Sequence, residues 1–333
     1  MKPSRAAAWL LVAVLLSSAL PLTGADKDKK KDVDAIGERR VARRSLISQE
    51  REIATGKGYA TEIDRSAKMV TDPVVVEFVN RLAQNVARNS DLTIPLTVKV
   101  IDNPDLNAFA LPGGFLYVNS GLILAADEEA QVAGVVAHEI AHVAARHWAS
   151  QMTKAQIASL AQIPLAIFTG GLSYPVWYGI WNAYGFVVPM TFLKFSRGAE
   201  AEADLLGIQY MYKAGYDPSA YVTFFSKIIE QDRKSPGSVP TIFASHPPTP
   251  ERILKSEEEI KAILPKREQY LVSTSEFDDV KTRLQSIMSL KKGQKKEGPT
   301  LRKRETTDQA GAEQKPPEKG KDEDKPPVLR RRD

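Results

Sequence analysis

The chain has 333 residues, four histidines and no cysteine, and its 46 Lys and Arg against 41 Asp and Glu leave a net charge of +5. The lack of cysteine excludes a disulfide scaffold, lipid attachment through cysteine and any thiolate metal site, which leaves only His and carboxylate side chains as strong ligands. Residues 291–333 hold 14 Lys and Arg against 9 Asp and Glu, so their balance equals that of the whole chain. The basic character therefore belongs to the tail and does not argue for nucleic-acid binding.

Lys2 and Arg5, an apolar run from Ala6 to Leu20, and the small residues Thr23-Gly24-Ala25 read as a secretory signal peptide over residues 1–25. The run is short for a retained membrane anchor. The expected location is periplasmic or otherwise exported. Residues 26–44 are charged and poor in large apolar groups, which predicts a solvated lead-in. A helix is expected from Ser45 to about Tyr59. Asp72-Pro73 begins another, with Val75, Val76, Phe78, Val79, Leu82 and Val86 on one face. Leu96–Ile101 alternates as a strand and stops at Asp102-Asn103-Pro104. Asn107–Gly114 predicts a turn or bulge leading into a strand over Phe115–Val118. Its glycines would allow a close backbone approach, and a free sheet edge there could hold an extended peptide. An ordinary hairpin turn fits the same residues.

The centre of the chain is a helix expected from about Asp127, as N-cap, to about Ser150. It carries His138, Glu139 and His142 in the pattern His-Glu-x-x-His. Histidines four apart share a helical face, so both imidazoles can reach one metal ion. Glu139 is displaced toward the position where a water would sit, as a general base for metal-assisted hydrolysis requires. The flanking Val132, Ala133, Val135, Val136, Ile140, Ala141 and Val143 predict burial nearly all round. A buried carboxylate is costly without a partner.

From Ala155 to Leu193 no residue is charged, but Pro164, Gly170, Gly171, Pro175, Gly179, Gly185 and Pro189 are expected to break any long helix. The segment reads as a lid or membrane-surface contact, with a buried loop as the plainer reading. A helix follows from Ser196-Arg197 through Tyr212. In it Glu200 is the best candidate for a third metal ligand, and Asp204, four residues on, can take the free N–H of a ligating imidazole. Glu202 points away from Glu200 and reads as surface or as support. Another helix is expected over Ser219–Arg233. His246, held by Pro247 and Pro248 in a loop, can be aimed at the site with little conformational freedom. It could stabilise an oxyanion as a donor. It could instead take a fourth zinc position and hold the site latched.

His138-Glu139-Ile140-Ala141-His142-Val143, then Ser196-Arg197 with Glu200 and Asp204, then Ser245-His246-Pro247-Pro248 and Glu251-Arg252 together resemble the gluzincin family of HtpX-type membrane proteases. That family also takes in CAAX prenyl-protein endoproteases and BepA-like periplasmic proteases. Asn107-Ala108-Phe109 with Pro112-Gly113-Gly114 is similar to the family's segment ahead of the metal helix. The resemblance implies one Zn2+ held by His138, His142 and Glu200, with Glu139 as base, Asp204 supporting a ligand and His147 structural. Integral members have unbroken spans where residues 155–193 are punctuated, so the chain is more similar to the soluble periplasmic branch.

The resulting expectation is an α+β, mostly helical zincin-type metallopeptidase domain over residues 45–265, with a small β-sheet. A small appendage would follow over 266–290 and a disordered tail over 291–333. The family implies zinc endopeptidase activity on misfolded or unassembled envelope proteins. A chaperone-like assembly factor with a silent or latched zinc site is the rival, and an intact Glu139 speaks against it.

Overall fold

The computed structural model describes residues 29–169, 194–234, 246–247 and 249–296. The expected signal peptide, residues 170–193 of the uncharged segment and nearly all of the tail lie outside them. The α+β expectation holds: a three-stranded sheet lies among nine helices of the described residues.

Helix α1 (Gln49–Ser66) starts where Ser48 Oγ accepts the Arg51 amide, four residues later than the sequence suggested. Helix α2 (Pro73–Arg88) begins as read, with Asp72 accepting from the amides of Val74 and Val75, and Pro73 occupying the first turn. Its face of Val75, Phe78, Val79, Leu82, Ala83 and Val86 is buried. Strand β1 (Thr97–Ile101) runs parallel to β3 (Phe115–Asn119), and β2 (Ala108–Leu111) pairs antiparallel with β3, in the order β1-β3-β2. Ala108 faces Val118 and Leu111 faces Phe115 in the register. The stretch read only as a turn or bulge is thus partly a strand. The turn itself is Pro112-Gly113-Gly114, whose glycines take φ of 80° and 88°, a region other residues rarely enter. A short helix α3 (Ser120–Ala125) leads to the central helix.

Central helix α4 spans Glu129–Ala144, and every one of its residues is buried. It packs on α2, on β2, and on helices α6 (Arg197–Lys213) and α7 (Ser219–Lys234). The single helix expected over 127–150 is in fact two. Ala145 caps α4, Arg146 turns at φ 54°, and α5 begins at His147. The break is held because Arg146 reaches Glu52 at 2.8 Å and the Ile47 carbonyl at 2.7 Å. Asp127 is not the N-cap either; it pairs with Lys227. The first α4 amides are satisfied from far along the chain, Glu129 by Ser273 Oγ at 3.4 Å and Ala130 by the Val272 carbonyl at 2.9 Å.

Helix α5 (His147–Thr169) continues through Pro164, which was expected to break it. One proline removes one amide donor, a local cost of about 3 kcal/mol, and the rest of the ladder carries the helix on. Among the described residues no helix is long and apolar enough to cross a membrane.

Two further expectations change. The lead-in is only partly solvated: Val33, Arg39 and Val41 are buried. Arg39 pairs with Asp91 at 3.0 Å and donates to Gln209 at 2.7 Å. Nor is 266–290 an appendage. Leu271 bridges to Tyr216, and helix α9 (Ser275–Lys296) sends Phe277, Val280 and Leu284 into the main core. Apolar residues at helical spacing left uncovered in so small a segment would be exposed; docking on the core buries them. Helix α8 (Pro250–Ile263), capped by Thr249 with Pro250 in its first turn, completes the described elements.

Candidate metal centre and active site

Helix α4 presents His138 and His142 on one face. Their Nε2 atoms lie 3.1 Å apart and their rings meet edge to face. Helix α6 crosses α4 closely beside them, and at Gly207 a Cβ would come within 3.2 Å of the His138 amide nitrogen. That approach brings Glu200, near the α6 N-terminus, to the imidazoles. Glu200 oxygens stand 3.5 Å from His138 Nε2 and 3.6 Å from His142 Nε2. His246 arrives from the other side, its Nδ1 2.8 Å from Glu200 Oε1. One donor atom from each of His138, His142, Glu200 and His246 falls within 4.8 Å of the others, and all four residues are buried. Phe195 stacks on His142 at 4.2 Å and closes that side with an apolar wall.

Glu139 sits beside this cluster. Its Oε2 accepts the Ala110 amide at 3.0 Å, while Oε1 is buried without a hydrogen-bond partner, 3.8 Å from His246 Nε2. Among the described residues β2 pairs on one side only, so the Ala110 amide points out of the ladder toward the site.

The outer groups are set as tightly. Asp204 Oδ1 is 3.1 Å from His138 Nδ1, which holds the proton on that nitrogen and turns the Nε2 lone pair to the cluster. The Tyr221 hydroxyl donates to Asp204 at 2.5 Å. Arg252 grips Asp204 with two nitrogens at 2.6 and 2.8 Å, lies 3.1 Å from Glu200, and donates to the carbonyls of His246 and Pro247. One guanidinium thus ties two carboxylates to the His246 loop. His147 Nδ1 is 2.9 Å from His142 Nδ1, and its Nε2 is 3.2 Å from Glu202.

The electrostatics favour a positive charge between the imidazoles. Burial alone would lower His138, but Asp204 and Glu200 outweigh it and push the imidazole up to about 9. His142 goes the other way, lowered by burial and by His138 beside it. Burial would raise Glu200, yet hydrogen bonds with His138 and His246 hold it far below the usual carboxylate range. Burial pushes Glu139 up, against the opposing pull of His246 and His138.

Each residue singled out in the sequence — His138, Glu139, His142, Glu200, Asp204 and His246 — is therefore drawn into one buried cluster. Sequence reasoning missed Tyr221, for which no local signal exists. It noted Arg252 only as part of a motif, although Thr249-Pro250 already placed that arginine in the first turn of a helix behind His246. It set His147 aside as structural and left Glu202 at the surface or in support.

Residues 73–260 match the sequence profile of peptidase family M48. The chain is similar to the β-barrel assembly-enhancing protease of Escherichia coli, 31% identical over 211 residues that make up 61% of this chain and 42% of the relative. The putative β-barrel assembly-enhancing protease of Vibrio cholerae is 31% identical over 227 residues, 66% of this chain and 46% of the relative. The mitochondrial metalloendopeptidase OMA1 of Schizosaccharomyces pombe is 31% identical over 192 residues, 57% and 55%. The chain spans less than half the length of the first two of these relatives. With the family's profile covering more than half of the chain, and a buried His-Glu-x-x-His helix at its centre, the chain belongs to peptidase family M48.

Proposed function

We propose that the chain is a zinc-dependent endopeptidase of the cell envelope that hydrolyses misfolded or unassembled exported proteins. His138, His142 and Glu200 would hold one zinc ion, and Glu139 would act as general base. The observation that carries this is the pairing of a closed N/O donor set with a buried carboxylate oxygen, Glu139 Oε1, that has no hydrogen-bond partner. Two imidazoles and a carboxylate, with no cysteine in the chain, suit zinc. When bound, zinc supplies Lewis acidity, which polarises a peptide carbonyl and lowers the pKa of water toward neutrality.

The chain's own groups do the rest. Glu139 Oε1 takes a proton from the attacking water and delivers it to the leaving amine. Burial raises the proton affinity of this carboxyl, which brings it nearer to neutral pH, where a general base works best. The Ala110 amide fixes the other oxygen, so the proton is handled at one atom. Strand β2 has no strand partner on its outer side among the described residues, which supports binding of an extended peptide along that edge, with the Ala110 amide kept for Glu139 and the scissile bond over the cluster.

The substrate class rests on two supports: the signal-peptide character of residues 1–25, and the names of the two β-barrel assembly-enhancing relatives. Membrane-surface contact through 155–193 belongs to the same reading. His246 among the donors supports a resting state in which its imidazole latches the site until substrate moves the loop. A permanently latched site would make the protein a chaperone-like assembly factor instead. Cleavage of casein by the purified protein, abolished by a chelator and restored by zinc, is the expected result. Absence of chelator-sensitive cleavage under any zinc loading would leave the assembly-factor reading in its place.

A further inference from the structure

We propose that His147 and Glu202 are positioning residues for His142, and that Lys30 and Arg43 of the N-terminal segment hold Glu202 in place for that role. The inference rests on the metal-centre reading above.

The geometry is a chain of contacts that starts at the surface and ends at a ligand. Lys30 Nζ pairs with Glu202 Oε1, and Arg43 reaches Glu202 Oε2 with two nitrogens at 2.7 and 2.5 Å. Glu202 Oε2 meets His147 Nε2 at 3.2 Å, and His147 Nδ1 meets His142 Nδ1 at 2.9 Å. The His147 side chain has no solvent exposure.

With His147 as a neutral imidazole, one arrangement of hydrogens suits all of these contacts. A carboxylate flanked by two cations is an acceptor, so His147 carries its proton on Nε2. A neutral imidazole protonated there accepts at Nδ1. His142 must then carry its own proton on Nδ1, which leaves the Nε2 lone pair directed at His138 Nε2 and Glu200. The opposite polarity would place the His142 proton on the nitrogen that a metal needs.

His138 obtains the same tautomer from Asp204 directly, at 3.1 Å. His142 differs: among the described residues its Nδ1 meets His147, not a carboxylate. Glu202 lies two residues from Glu200, about 200° round α6, on the side that faces the N-terminal segment. His147 spans that gap. It can do so because the chain breaks at Arg146: in an unbroken helix a residue five places on lies about 140° round from His142 and could not meet it. The N-terminal segment is anchored independently. Arg43 N–H donates to the Ala145 carbonyl at 3.0 Å, and Gly37 N–H donates to Asp91 at 2.9 Å. Residues read as a lead-in thus brace a metal ligand from about three side chains away.

The test measures zinc affinity of the full chain by competition with a chromogenic chelator, together with the visible spectrum of the cobalt(II)-loaded protein. His147→Leu should weaken zinc by about 10–100-fold and alter the cobalt bands. His147→Gln, whose amide can accept from His142 and donate to Glu202, should recover most of the loss. Glu202→Ala should act in the same direction. The double variant His147→Leu/Glu202→Ala should be no weaker than His147→Leu alone, because the two act in series. Wild-type zinc affinity and cobalt bands in His147→Leu, or losses that add in the double variant, would overturn the proposal.

Arg43→Ala, a partly exposed position, keeps the question answerable if His147→Leu does not fold. It should weaken zinc by about threefold or more, and unchanged affinity would count against the brace. His142→Ala separates the two readings. If it binds zinc as well as the wild type, the metal centre is misassigned and this inference falls with it. If it loses zinc while the His147 and Glu202 variants keep theirs, only the relay is wrong.

Discussion

Arg252→Met is the most demanding test of how the site is held together in the metal-free protein. The guanidinium makes two bonds to Asp204 at 2.6 and 2.8 Å and sits 3.1 Å from Glu200, in a site where the three side chains are largely buried. Met fills much of the same volume with no charge, leaving two buried carboxylates without their cation. Removing one partner of a buried pair costs about 3–5 kcal/mol. Part of that cost depends on pH. Burial would raise the Asp204 carboxyl, but Arg252 and His138 outweigh it and hold it at about 2, against an ordinary 3.8. A group depressed in the folded state contributes stability above its unfolded pKa and loses it as pH falls through the folded one. A shift of this size corresponds to about 2 kcal/mol. The stability gap between wild type and Arg252→Met should therefore be full above about pH 4 and shrink by up to about 2 kcal/mol toward pH 2. Urea unfolding of both chelator-treated proteins, followed by circular dichroism across that range, measures it. At neutral pH the melting temperature should fall by about 6–20 °C. A gap below about 1 kcal/mol at pH 7, or one that widens toward acid, would refute the reasoning.

Glu139→Gln should keep one zinc per chain and lose about two to four orders of magnitude in casein cleavage, since it removes the base but no ligand; loss of zinc would mean that the roles are wrong. His246→Ala, if the latch is its main role, should cleave an unfolded substrate as fast as wild type or faster. A loss of about a hundredfold with zinc retained would assign it to the oxyanion instead. Asp72→Ala removes the cap of α2 and the contact to Arg283, and should cost about 1 kcal/mol, read as a drop of about 2–4 °C in melting temperature. A chain lacking residues 1–25 should stay in solution without detergent; complete partition into membranes would reject the lid or surface-contact reading of 155–193 in favour of a pair of membrane spans.

The metal-binding helix face could be read from the chain because it depends on local geometry alone. Residues four apart on a helix share a face, so His138 and His142 had to converge, and Glu200 and Asp204 likewise. The same holds for α2, whose cap, proline and apolar period all lie within one segment. The sheet was partly visible: β1 alternates and β3 follows a glycine turn, while β2 hid in the stretch dominated by those turn residues. What the sequence alone could not place were groups joined by contacts between distant segments. His147 meets His142 only because Arg146 leaves the helix, and Arg146 leaves it because Glu52 and the Ile47 carbonyl, nearly a hundred residues earlier, hold its side chain. The lead-in became part of the core through Arg39 and Asp91, and residues 270–284 through the first α4 amides and Phe277. Periodicity tells which face of an element is apolar, but not which distant segment will cover it; that is settled by which pairing buries most surface and satisfies most polar groups at once.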